Sequence, residues 1–149
     1  MNIERLTEQL KKDEGFSEYP FWDRKQWTWG YGTAAPGFQD REFYIAHAKP
    51  KIKERKAEKE LHAHILIAIK DYNDIFGHLP IDEVRKEALV NMLFNMGRHT
   101  FMKFKNTIKH IINNEWKSAA FEAYNSKWYN QVGTRSYRIV RELAYGEKH

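Results

Sequence analysis

Apolar positions recur at helical spacing along most of the chain and give way to a crowd of aromatics near its beginning. Ile3, Leu6 and Leu10 predict an opening helix that stops at Glu14, because Gly15 comes next. Tyr19-Pro20-Phe21-Trp22 before Asp23, and Trp27, Trp29 and Tyr31 after it, have the content of two short strands, with 23–26 as the polar turn of an antiparallel hairpin. Gly30 and Gly32 leave room for a close approach, either by another strand or by a bound ligand. A short helical piece is predicted over 40–48, ended by Pro50. A long helix follows over about 52–76, with Ala57, Leu61, Ile65, Leu66, Ile69, Tyr72 and Phe76 on its apolar face and Gly77 as its stop. Further helices are predicted over 82–96 with Gly97 as terminator, then over 103–112, 115–125 and 134–145. Trp116, Phe121, Trp128 and Tyr129, at helical spacing, read as core.

Composition narrows the chemistry. A chain of 149 residues, 42% hydrophobic and 15% aromatic, is long enough to bury one core without staples. It has no cysteine, which excludes a disulfide framework, a thiol nucleophile and a zinc–thiolate site. There is no phosphate-binding glycine loop, no HExxH pair and no serine nucleophile elbow. His62 and His64, two apart on a helix, face different sides and read as surface residues. No cofactor and no metal are therefore expected. The first fifteen residues lack an apolar run of signal-peptide length, and nothing approaches the roughly 20 apolar residues of a membrane span. The expected place of synthesis is the cytoplasm. A net charge of +5 and a pI near 9.3 suit an anionic polymer, whether bacterial envelope or nucleic acid.

The candidate chemistry is a pair of carboxylates. A glycosidase needs one carboxyl kept protonated to serve the leaving oxygen and a second kept ionised near the other face of the sugar. Glu14 at a helix C-terminus, where the macrodipole disfavours a negative charge, suits the first role. Asp23, nine residues later and followed by Thr28-Trp29-Gly30-Tyr31-Gly32, suits the second if the hairpin turns the chain back. Taken singly, each has a plainer reading: a solvated helix-end glutamate, a turn aspartate beside Arg24 and Lys25, an ordinary strand threonine.

The same residues carry a resemblance. Asp13-Glu14-Gly15, Thr28-Trp29-Gly30-Tyr31-Gly32, Asn91-Met92-Leu93-Phe94-Asn95-Met96-Gly97, Phe104-Lys105-Asn106-Thr107 and Ser126-Lys127-Trp128-Tyr129-Asn130-Gln131, then Arg135 and Arg138, occur in the order and at the separations of one family. The chain resembles the phage-type lysozymes of glycoside hydrolase family 24 over most of its length. The resemblance implies an α+β, two-lobed lysozyme-like fold forming a single domain. One lobe, about 14–55, would hold the sheet and cleft; the helical lobe would comprise about 56–149 plus the first helix, 1–13.

It also implies an endolysin that hydrolyses the β-1,4 bond between N-acetylmuramic acid and N-acetylglucosamine in peptidoglycan with inversion, for host cell lysis. In that assignment Glu14 is the general acid, while Asp23 and Thr28 position the attacking water. Arg135 pairs with Glu14, and Tyr31, Phe94 and Asn95 touch the saccharide. The expected partners are peptidoglycan and, through the family, a separate phage membrane-permeabilising protein, or holin; the expected state is a monomer that binds no nucleic acid. The alternatives are a lytic transglycosylase and a non-catalytic basic module binding peptidoglycan or nucleic acid. Two departures stand out. Four residues separate Asp23 from Thr28, one fewer than is usual in the family, and Thr33 stands where T-even members carry a histidine. A threonine there hydrogen-bonds without titrating.

Overall fold

A computed structural model of the chain describes residues 1–23, 26–35 and 51–146. Along them run α1 (Ile3–Glu14), β1 (Ser17–Asp23), β2 (Gln26–Gly30), β3 (Thr33–Ala34), α2 (Glu54–Phe76), α3 (Glu83–Phe101), α4 (Lys105–Ile112), α5 (Trp116–Tyr124), α6 (Lys127–Val132) and α7 (Thr134–Tyr145). A three-stranded antiparallel sheet near the start and helices elsewhere make the fold α+β, as expected. The helical piece expected over 40–48 lies outside the described residues. The chain divides into a sheet-bearing unit, Thr7–His64, and a helical unit made of Met1–Leu6 and Ile65–His149. The division falls inside α1 and inside α2.

In the sheet-bearing unit, Phe21 lies opposite Thr28, Trp22 opposite Trp27 and Asp23 opposite Gln26, with a bulge between Ser17 and Phe21. Asp23 and Gln26, expected in the polar turn, are therefore strand partners. β3 extends the sheet through the pairs Thr28–Ala34 and Trp29–Thr33. Directly opposed residues share a face and neighbours along a strand alternate. Phe21, Asp23, Gln26 and Thr28 thus occupy one face, and Trp22 and Trp27 the other, their rings edge-to-face at 5.8 Å. Leu10, Trp27, Trp29, Ile52, Ala57 and Leu61 are buried in this unit.

In the helical unit, Phe76, Leu89, Met92, Phe101, Ile139 and Leu143 are fully buried. Rings run from Tyr72 through Phe76, Phe101 and Phe104 to Trp128 at centroid spacings of 5.8, 5.9, 6.4 and 6.5 Å. Three expectations change here. The buried stripe of α2 passes through Ala68 rather than Leu66, which is 48% exposed, because the true helical period reaches residue 68. Phe121 is 59% exposed and is not core, whereas Trp128 is. α3 does not end at Gly97: the backbone breaks there at φ 80, ψ 158, then resumes so that Phe101 enters the core.

α6, which the spacing did not predict, starts on Ser126, whose hydroxyl accepts from the Tyr129 amide at 3.2 Å. α7 spans the expected residues. Its C-terminal carbonyls at Leu143 and Ala144 accept from Arg85 Nε and Nη2 at 2.8 and 3.0 Å, and the guanidinium stacks 4.6 Å over Trp116. A cation at that helix end opposes the partial negative charge of the macrodipole.

Tyr72 yields a stability prediction. Its hydroxyl is buried without a hydrogen-bond partner among the described residues, and burial, aided by Glu83 and Asp82, pushes its phenol up to about 12. Since the folded-state value is raised, Tyr72 contributes its full stability below about 10 and loses it as pH climbs towards 12. Tyr72→Phe removes an unsatisfied group and is expected to raise stability at pH 7 by about 1 kcal/mol. Its advantage over the unsubstituted chain should widen at pH 11. Urea unfolding at both pH values checks this; a Phe variant less stable at pH 7 would show that the hydroxyl is satisfied.

Candidate active site

Glu14 is the last residue of α1, and the chain leaves the helix through Gly15, whose amide donates to Lys11 O at 2.9 Å with φ 68. The left-handed conformation costs glycine little, so the helix stops at the carboxylate-bearing residue. Lys11 ties this last turn to α2: its Nζ donates to Glu58 Oε1 at 3.0 Å and lies 5.7 Å over the Tyr31 ring. The hydrogen bond to Glu58 raises the affinity of Lys11 for its proton.

Between β2 and β3 the chain turns tightly, with the Gly32 amide donating to Trp29 O at 3.1 Å. A Cβ placed on Gly32 would stand 2.9 Å from Glu14 Oε2, and the residue has φ 89. The Glu14 carboxyl therefore rests against a stretch of backbone that only glycine supplies. Gly30 serves packing in another place, where a Cβ would stand 3.0 Å from that of Ala57. The close approaches expected at these glycines are thus made by the protein's own helices.

Asp23 and Thr28 share a face of the sheet as diagonal neighbours, an arrangement with Cα atoms about 7–8 Å apart. Asp23 is exposed. Thr28 is 1% exposed, and its hydroxyl has no hydrogen-bond partner among the described residues. An unsatisfied buried hydroxyl costs about 1–3 kcal/mol and calls for an explanation such as a bound water or ligand. Opposite Thr28 stands Phe21, 45% exposed, which had not been singled out as a contact residue. Alternation counted back from Asp23 was the signal for it. This face therefore combines a carboxylate, a hydroxyl and an aromatic plane, the groups that bind a water and a sugar ring.

Tyr31, expected to touch the saccharide, is 6% exposed. Its ring packs at 5.3 Å from that of Phe16, and its hydroxyl donates to Glu54 Oε1 at 2.9 Å. Burial, with that hydrogen bond, raises the phenol's affinity for its proton. Thr33 is buried too and donates to Glu60 Oε1 at 2.6 Å, the hydrogen bond a threonine was expected to make.

Phe94, Asn95 and Arg135 belong to the helical unit. Phe94 is half-buried, while Arg135, in the first turn of α7, is 9% exposed. Asn95 Oδ1 accepts from the Trp128 indole at 2.9 Å, which fixes the orientation of the amide. In the same unit Phe104, Lys105, Thr107, Glu122 and Ser126 line a depression of about 280 Å³. Glu14, Asp23, Thr28 and Tyr31 all belong to the sheet-bearing unit. Among the described residues no three His, Asp or Glu side chains stand close enough to hold a metal ion, and no helix is long and apolar enough to cross a membrane.

Residues 11–142 match the phage lysozyme family. The chain is 30% identical to probable T4-type lysozyme 2 of Dictyostelium discoideum over 165 aligned positions, covering 97% of this chain and 96% of that one. It is 38% identical to probable T4-type lysozyme 1 of the same organism over 66 residues, which span 44% of this chain and 39% of that relative.

Proposed function

Since this chain belongs to the phage lysozyme family, and so to the glycoside hydrolases, we propose that it cleaves the β-1,4 bond between N-acetylmuramic acid and N-acetylglucosamine in peptidoglycan, with inversion. The observation that carries this reading is the buried hydroxyl of Thr28, which has no hydrogen-bond partner among the described residues, on the same sheet face as Asp23 and in the unit where Glu14 closes α1.

Glu14 gives its proton to the glycosidic oxygen as the bond from that oxygen to the anomeric carbon breaks. A water held by Thr28 and Asp23 attacks the anomeric carbon from the opposite face and passes a proton to Asp23. The two carboxyls end with exchanged protonation and are reset by solvent. The biological setting in this reading is that of an endolysin: a monomer made in the host bacterial cytoplasm, reaching the wall after a separate phage protein permeabilises the membrane. The net charge of +5 favours approach to an anionic envelope.

Product analysis tests the reaction. Digestion of purified peptidoglycan should release fragments whose mass includes one added water, and proton NMR of fresh product should show the α-anomer first. Anhydro-sugar ends would make the protein a lytic transglycosylase, β-anomer first would make it a retaining enzyme, and no released fragment would leave a binding module.

A further inference from the structure

The turn that carries Gly32 is held from both sides by one helix. Tyr31 donates to Glu54 and Thr33 to Glu60, at 2.9 and 2.6 Å, so the residues before and after Gly32 are each anchored to a carboxylate of α2. Gly32 is in turn the backbone against which Glu14 Oε2 rests. The last turn of α1 reaches the same helix through Lys11 and Glu58, at 3.0 Å. Tyr31 and Thr33 are buried at 6% and 4% exposed, so their anchors are set by packing as well as by hydrogen bonds. All of these groups lie in the sheet-bearing unit.

We propose that Glu54 and Glu60 are positioning residues for Glu14: by fixing Tyr31 and Thr33 they hold Gly32 where its bare Cα seats the proton-donating carboxyl. The inference rests on the assignment of Glu14 as general acid, and it adds to that assignment the part of the fold that aims the acid. Neither carboxylate touches substrate. A seat that shifts by a fraction of an ångström misaims a proton donor, and misalignment of that size weakens the chemical step more than binding. Glutamine at either position still accepts the hydrogen bond, whereas alanine does not.

Steady-state kinetics on soluble glycan chains prepared from peptidoglycan, with thermal unfolding as a folding control, test the proposal. Glu60→Ala and Thr33→Val are each expected to lower kcat about tenfold with KM little changed. The double variant should be no worse than the singles, because both remove one hydrogen bond. Glu60→Gln should recover activity to within about twofold of the unsubstituted enzyme, because it keeps the acceptor. Glu54→Ala and Glu54→Gln should repeat the contrast. The near-isosteric Thr33→Val keeps the test available if an alanine variant folds poorly.

A glutamine variant as impaired as the alanine variant would replace positioning by an effect of charge and overturn the proposal, as would additive losses or a change confined to KM. Glu14→Gln in the same assay separates the two levels. An inactive Glu14→Gln beside a fully active Glu60→Ala sinks only the positioning role, and an active Glu14→Gln sinks the assignment beneath it.

Discussion

Glu14→Gln is expected to abolish clearing of a peptidoglycan suspension while the protein keeps its fold and unfolding temperature. The substitution is nearly isosteric, so the amide occupies the seat against Gly32 that the carboxyl holds. What it removes is the carboxylic acid proton that the leaving oxygen would receive. General acid catalysis contributes about 10² to 10⁴-fold, and a poor leaving group such as a sugar alkoxide draws on the upper part of that range, so a loss of about 10³-fold or more is expected. Turbidity measured at equal protein concentration reads it directly. Equal clearing by the two proteins removes Glu14 from the mechanism.

Thr28→Val is the second large effect, and its interest is that stability and activity should move in opposite directions. The Thr28 hydroxyl is buried and lacks a partner among the described residues, so a methyl in its place relieves an unsatisfied group. Unfolding free energy should stay level or rise by up to about 1 kcal/mol. If the hydroxyl orders the attacking water beside Asp23, activity should fall by about 10 to 100-fold. Thr28→Ser supplies the control, since it keeps the hydroxyl and gives up a methyl; it should lose stability and keep activity. A valine variant that clears peptidoglycan as fast as the unsubstituted enzyme would disprove the water-positioning role.

How far these features were legible in the sequence depended on the range of the interactions that make them. The end of α1 at Glu14 and the bounds of α7 follow from a periodic run and a glycine, both local signals, and the structure matches them. The hairpin was legible from its aromatics, although Asp23 and Gln26, expected in its turn, pair as strand residues. Gly97 misled because a glycine that breaks a helix does not say whether the helix resumes. Here it resumes with Arg98 paired to Asp71 and Asp74 on α2 and Phe101 in the core, contacts that no local rule contains. Leu66 and Phe121 misled in the opposite sense, since an apolar residue near the right period is buried only if another element covers it.

By itself the sequence determined which groups are available for chemistry and the order in which they come: a glutamate closing a helix, an aspartate and a threonine on neighbouring strands, and the motif string that placed the chain in its family. Periodicity, helix stops and residue chemistry are properties of short windows, so a linear reading reaches them. Tertiary structure alone decided that Gly32 seats the Glu14 carboxyl, that Tyr31 turns inward to Glu54, that Asn95 is tied to Trp128 and that the Thr28 hydroxyl is buried without a partner among the described residues. Each of these depends on contacts between residues far apart in the chain, or on what covers a side chain once the chain has packed. Such contacts are set by close packing and by the need to satisfy buried polar groups, neither of which leaves a mark on spacing.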